Sequence, residues 1–306
     1  MVTVTTTRRS ALLMGGACVV TVAGLGLAWL LAHPDGPEST AIPANVAVGA
    51  AVLLVGLGGL PQLGAVPSSR LVGVVGAIWA VAALTTAWVR AADQAGVGVL
   101  RLDVGRFADS AHAGAPDLVA AGCAVLVVGW AVADLITETR IPVAAVAILA
   151  GVGLLATSIS GHPGQTTWGP VLVGLHALAA AWWCGTLLAL AVAVRGRSGW
   201  ARALPVFSSR AQWAVGVIAL TGVIAGIIEI GVGWVLVDTG YGRLLIAKSV
   251  GLVILVGIAA WHRSRWLPEV RRHRGSESTA IRRAAVEIAV MAVVIGLAVG
   301  LSATAP

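Results

Sequence analysis

Charge is what this chain has least of. Only 11% of its 306 residues are Asp, Glu, Lys or Arg, against 58% hydrophobic residues and a mean hydropathy of +0.94. That balance excludes a soluble globular domain of ordinary composition. Lysine is reduced to one residue, Lys248, in a chain whose other basic groups are all arginine. The three cysteines, Cys18, Cys123 and Cys184, sit in separate apolar runs without a C-x-x-C pairing, so they indicate neither a disulfide framework nor a zinc knuckle. A Walker loop, H-E-x-x-H, G-x-S-x-G and a dinucleotide fingerprint are all missing, and the chain is not expected to be an enzyme. No soluble domain, repeat array or low-complexity segment interrupts it.

What is present is a succession of apolar runs. They fall at 11–32, 46–63, 71–89, 116–135, 141–159, 169–194, 212–232, 244–261 and 284–301, each near the length that ~30 Å of hydrocarbon requires of a helix. The reading is an all-α, polytopic transmembrane bundle of about nine spans in a lipid bilayer. Glycine, at 39 residues, suits helices that pack closely in a membrane. The first run follows Arg8-Arg9, is too long for a typical signal-peptide core and lacks a small-x-small cleavage site before His33, so it is read as a span.

With a cytoplasmic N-terminus, nine spans place fifteen of the 20 basic residues on the cytoplasmic side. Arg90, Arg101, Arg106, Arg243 and the intramembrane Lys248 remain for the other side or its half of the membrane. This positive-inside bias puts the C-terminus outside and explains the net charge of +7 as topology, with no nucleic-acid partner implied. The same arrangement puts His33, His112, His162 and His176 at the exoplasmic face and leaves His262 and His273 on the cytoplasmic side. Within the exoplasmic loop 90–115, apolar residues at Val97, Leu100, Val104, Phe107 and Ala111 alternate with charge at helical spacing, which predicts a short interfacial helix. Residues 1–159 and 160–306 are read as an N-terminal set of five spans and a C-terminal set of four, the second carrying nearly all the polar signal.

His176 lies less than two turns inside the sixth run, and an ionisable side chain there marks a functional site or, failing that, a packed imidazole bonded to a neighbouring helix. Trp183 falls on the same stripe. Cys184 is about 12 Å along the axis from His176, too far for a shared metal shell, and reads as a packing residue. His162, then His33 and His112, are the candidate co-ligands. Glu229 and Lys248 lie at matching depth on consecutive helices and are read as an ion pair, either structural or gating. Glu287 and Asp134 are expected to snorkel or to pair with Arg283 and Arg140. Gly222-x3-Gly226 and Gly296-x3-Gly300 predict close helix crossings.

His176 with Trp183 and Gly185, Phe207-Ser208, Leu220-Thr221-Gly222, Thr239-x-Tyr241-Gly242-Arg243-Leu244-Leu245, Lys248 and Arg263-x-Arg265-x-Leu267-Pro268 form an ordered series. In this series the chain resembles the copper resistance D family (CopD/PcoD/YcnJ type) over roughly 160–301. The resemblance implies a multi-pass protein of the bacterial cytoplasmic membrane, engaged in copper homeostasis and taking the copper ion, as substrate, from a CopC-like exoplasmic chaperone. It also implies that His176 and Lys248 occupy family motif positions. Cys184-Gly185 stands where the family often has Gly-Gly, and His262 near a position often filled by Asn. No CopC-like domain is expected within the chain. Met1, Met14 and Met291 are its only methionines, so a thioether ladder for Cu(I) is excluded, while imidazole suits either oxidation state.

The first reading is therefore copper import or transfer, with His162, His176, His112 and His33 capturing the ion and Glu229, Lys248, Trp183 and Tyr241 lining a gate. A haem-binding or electron-transfer subunit, which would need two facing helix-borne histidines, and a metal-free structural membrane partner are the alternatives.

Overall fold

A computed structural model describes residues 3–34, 36–112, 114–137, 142–160, 167–230, 238–271 and 277–304, with the backbone alone at 3–8, 229–230 and 266–271. Among these residues the chain is helical, and no strand occurs. The helices are α1 (Thr3–Ala32), α2 (Ala41–Gly59), α3 (Ser69–Gln94), α4 (Val104–Asp109), α5 (Ala115–Thr137), α6 (Ala144–Ser158), α7 (Gly169–Ala193), α8 (Gly196–Ile230), α9 (Gly240–Arg271) and α10 (Glu277–Ser302). Eight of them are long and apolar enough to cross a membrane. The ninth predicted span appears as α6, whose 15 residues rise only about 22 Å. Pro142 stands just before it, and the helix packs against α2, α5 and α7. Elsewhere the helices outrun the predicted spans: α3 continues to Gln94, and α8 begins at Gly196 and carries Pro205 inside it. Hydrophobicity marks only the stretch that sits in hydrocarbon, whereas intrahelical hydrogen bonding carries on into polar sequence.

The bundle is organised around α2. Residues Ala50–Leu57 are buried in unbroken succession, and α1, α3, α6, α7 and α10 all pack against this helix. A helix apolar on every side belongs in a protein interior, and α2 has no ionisable residue to place elsewhere. Its approach to α7 is backbone on backbone: a Cβ on Gly185 would overlap the Val52 carbonyl, and one on Gly56 would overlap the Gly185 carbonyl. The predicted Gly296-x3-Gly300 crossing also forms. A Cβ on Gly296 would overlap the Thr21 carbonyl, one on Gly300 the Ala28 methyl, and Gly24 opposite them faces Val293, so α10 lies directly against α1. Gly222 and Gly226, by contrast, face side chains, the His176 ring and Leu245.

Both ends of the bundle are tied by arginines. At one end the Arg243 guanidinium donates to the carbonyls of Leu31 (2.7 Å), His33 (2.8 Å) and Asp238 (3.2 Å), joining the start of α9 to the end of α1. Thr239 caps the same helix by accepting from the Gly242 amide at 3.0 Å. At the other, arginine-rich end, Arg9 contacts Glu277 at 2.7 Å and donates to the Ala191 carbonyl, while Arg195 donates to the Ser10 hydroxyl at 2.8 Å. Arg243→Gln would keep the length and polarity of the side chain but lose the charge-assisted donors. It should lower stability by about 1–3 kcal/mol, read as a drop in thermal unfolding midpoint relative to Arg101→Gln on the exposed loop.

The loop after α3 differs from the single interfacial helix expected of it. A one-turn 3-10 segment, Val99–Arg101, and α4 are separated by extended Leu102 and Asp103. Asp103 accepts from the Arg106 amide and so starts α4 afresh. Phe107 stacks on Trp88 (5.1 Å between centroids) and Leu102 is buried there, whereas Leu100 is fully exposed. Asp134 bonds to the Ser69 hydroxyl across the α3/α5 contact, a partner on another helix that the sequence did not point to. The predicted Arg140 lies outside the described residues.

Candidate functional site

His176 is carried by α7, seven residues and so about 10 Å from that helix's start. Thr221 on α8 and Lys248 on α9 lie nine and eight residues from the same end of their helices, about 12–14 Å in. The three residues therefore share one level. The His176 Nδ1 is 3.0 Å from the Thr221 Oγ1. That hydroxyl already donates its only proton to the Val217 carbonyl at 2.6 Å, the ordinary back-bond of a threonine within a helix. It is thus left to accept, and Nδ1 must be the protonated nitrogen of the ring. The Ile218 carbonyl, 3.3 Å from the same hydroxyl, is a further acceptor at this ring. With Nδ1–H committed, the lone pair resides on Nε2, the position from which an imidazole ligates a metal.

Two features keep the ring in place. Gly222 lies flat against it, and a Cβ at that position would sit 3.4 Å from Cε1. Lys248 is near enough for its ammonium charge to act on the imidazole. His176 is half-buried, as is Lys248, so the group is neither sealed in the core nor open to bulk solvent. Leu220-Thr221-Gly222 stood in the sequence as a motif without a role; its threonine and glycine are the two contacts that orient the histidine.

The remaining predicted site residues are placed as follows. His112 is exposed at the interfacial loop, its Nε2 2.9 Å from the Gln94 amide nitrogen. His33 is exposed just beyond α1, its backbone carbonyl bound by Arg243. His162 lies outside the described residues, and Glu229 belongs to α8 with only its backbone described, so the expected Glu229–Lys248 pair is outside them too. Trp183 is buried in the main core, and Tyr241 packs beside the buried cluster of Leu25, Ala28 and Leu244 between α1, α9 and α10. Among the described residues no three His, Cys, Asp or Glu side chains converge on a point where a metal would sit. Cys184, immediately before Gly185, is half-buried and packs against the core.

The expectation for Glu287 is corrected. It neither snorkels nor pairs with Arg283: its carboxylate bonds to the His262 Nδ1, and both side chains are under a tenth exposed. Arg283 instead lies over the Trp261 ring at 5.9 Å. The reason is the length of α9, which runs past Trp261 to Arg271 and holds His262 as a helical residue facing α10. The available signal was a histidine directly after one apolar run and a glutamate one turn inside another, each beside arginines; pairing them requires knowing which helices touch.

No curated protein and no solved structure matches the chain. Residues 201–301, which take in most of α8 and all of α9 and nearly all of α10, match the family model described as Copper resistance protein D. The match includes Thr221, Gly222, Lys248, His262 and Glu287 and stops short of His176. Over that segment, about a third of the chain, this multi-pass membrane protein is similar to the copper resistance D family.

Proposed function

We propose that the protein moves copper across a bacterial cytoplasmic membrane, inward from an exoplasmic donor of the CopC type, without catalysing a chemical reaction. The observation that carries this reading is the His176–Thr221 contact, which commits one ring nitrogen and directs the other as a ligand inside a membrane helix bundle. The positive-inside distribution of arginines supports an exoplasmic position for that level. Copper, as the substrate, would be taken by His176 Nε2 together with a ligand brought by the donor or by the loop that carries His162. Imidazole is a suitable ligand for copper in either oxidation state.

Lys248 then acts as the charge that limits occupancy. An ammonium beside a cation site opposes the cation, and lysine is the basic side chain that can shed its proton in a membrane. Copper held at His176 and a charged Lys248 disfavour one another, which promotes onward movement of the ion. Among the described residues no second helix-borne histidine faces His176 at its depth, since His262 lies toward the opposite end and is engaged by Glu287. A bis-histidine haem site is the poorer reading for that reason.

Copper accumulation by cells expressing the wild type, His162→Ala, His176→Ala or Lys248→Gln tests it. The account expects His176→Ala to remove protein-dependent accumulation and Lys248→Gln to bind copper more tightly while delivering it more slowly. Equal accumulation in all four would contradict it.

A further inference from the structure

The copper reading makes no use of the most deeply buried ionisable pair among the described residues. His262 of α9 and Glu287 of α10 hydrogen-bond to each other with both side chains under a tenth exposed. Glu287 lies ten residues, about 15 Å, from the α10 start, on the arginine-rich side of the bundle and well separated from the His176 level. Burying such a pair costs more desolvation than an apolar pair of equal volume, and ionisable groups placed inside membrane helices mark ion and proton pathways.

The surroundings decide between an ion and a proton. Cys184 on α7 feels the Glu287 charge, yet no third His, Cys, Asp or Glu joins closely enough to complete a metal site among the described residues. On the arginine-rich side the Trp261 ring lies 5.1 Å from the His262 ring and carries the Arg283 guanidinium on its face. Among residues with described side chains, the other ionisable groups on the packed elements are Arg9 and Cys18 of α1, His176 of α7, Arg197, Arg202 and Arg210 of α8, Tyr241, Arg243, Lys248, Arg263 and Arg265 of α9, and Glu277 and Arg282 of α10. Of these Arg9 is held by Glu277 and Arg210 by Gln62, and α2 contributes none.

We propose that His262 and Glu287 form a proton-binding site that exchanges with the arginine-rich side of the membrane. In the starting pair a neutral imidazole donates its Nδ1–H to the Glu287 carboxylate. Uptake of one proton from water at Nε2 gives an imidazolium beside the carboxylate, and its release restores the starting pair. No other reactant is needed. The proposal does not depend on copper and is tested without it.

The readout is built in, because a charged imidazolium quenches an adjacent indole and, among the described residues, Trp261 is in ring contact with His262. Full-length, metal-free protein in lipid nanodiscs is titrated over roughly pH 5 to 9, and the Trp261→Phe signal is subtracted from the wild-type fluorescence. The expected difference signal titrates. It disappears in His262→Asn, and its midpoint moves by at least about one pH unit in Glu287→Gln, since removing the carboxylate removes the main partner of the imidazolium. A flat wild-type difference signal, or an unmoved midpoint in Glu287→Gln, would overturn the proposal. If Glu287→Gln is not recovered folded, Glu287→Asp is read in the same way: a moved midpoint supports the pair and an unmoved one overturns it.

Discussion

Gly185→Leu is expected to be the most damaging single substitution in the chain. Its side chain would have to occupy space held by the Val52 carbonyl of α2, and backbone cannot turn aside as a flexible side chain can. Overpacking of a side-chain core costs about 1–3 kcal/mol and occasionally more. Here the displaced object is the central helix, so the upper end of that range applies. A loss of about 3 kcal/mol corresponds to a fall in unfolding midpoint on the order of 10 °C. Gly56→Leu, on the opposite side of the same contact, should behave alike, while Gly216→Leu and Gly257→Leu, which meet nothing within 4 Å, should leave the midpoint nearly unchanged. Thermal unfolding of the four variants in one detergent checks the claim, and a Gly185→Leu protein as stable as Gly257→Leu would show that α2 and α7 do not cross at this point. The physical content is that membrane helices gain little from apolar burial against one another and depend on close backbone contact.

Thr221→Val should weaken copper binding without unfolding the bundle. Valine matches threonine in shape but cannot accept from Nδ1–H, so the imidazole loses what fixes its tautomer and orientation. Loss of such an outer partner typically costs about 10- to 100-fold in metal affinity. Competition with a copper chelator should show that loss for Thr221→Val and at least as great a loss for His176→Ala. Thr221→Ser, which retains the hydroxyl, should restore most of the affinity. That rescue separates orientation of the ligand from mere packing, because a packing role would be served better by valine than by serine.

Much of the architecture could be read directly from residue order, because the length of an apolar run and the distance across hydrocarbon are the same physical quantity. Gly296-x3-Gly300 likewise announced its crossing, since only residues without side chains permit α10 to lie on α1. Gly222-x3-Gly226 had the same spacing and a different use, and only the position of His176 shows that the first glycine makes room for a ring. Spacing reports that a helix face is smooth, and it does not report what lies against it.

The polar contacts were less accessible for a related reason. His176 stood out alone because an imidazole in an apolar run is costly, but Thr221, 45 residues away, has no such signature. The sequence leaves His262 on the cytoplasmic side because the apolar run ends at Trp261, although α9 continues well beyond it. With His262 outside the membrane, Glu287 had only the nearby arginines as visible partners, and the buried pair stayed hidden. Arg243 was recognised as part of a motif; its three carbonyl contacts to α1 and the α9 entrance show that a motif residue can serve assembly.

The central claim is that the nitrogen of His176 left uncommitted by Thr221 holds copper within the membrane. X-ray absorption at the copper edge, recorded on purified full-length protein loaded with one equivalent of copper, addresses it directly. The account predicts outer-shell scattering from imidazole in the wild type that is lost or clearly reduced in His176→Ala. Identical spectra for the two proteins, or a wild type that retains no copper, would contradict it.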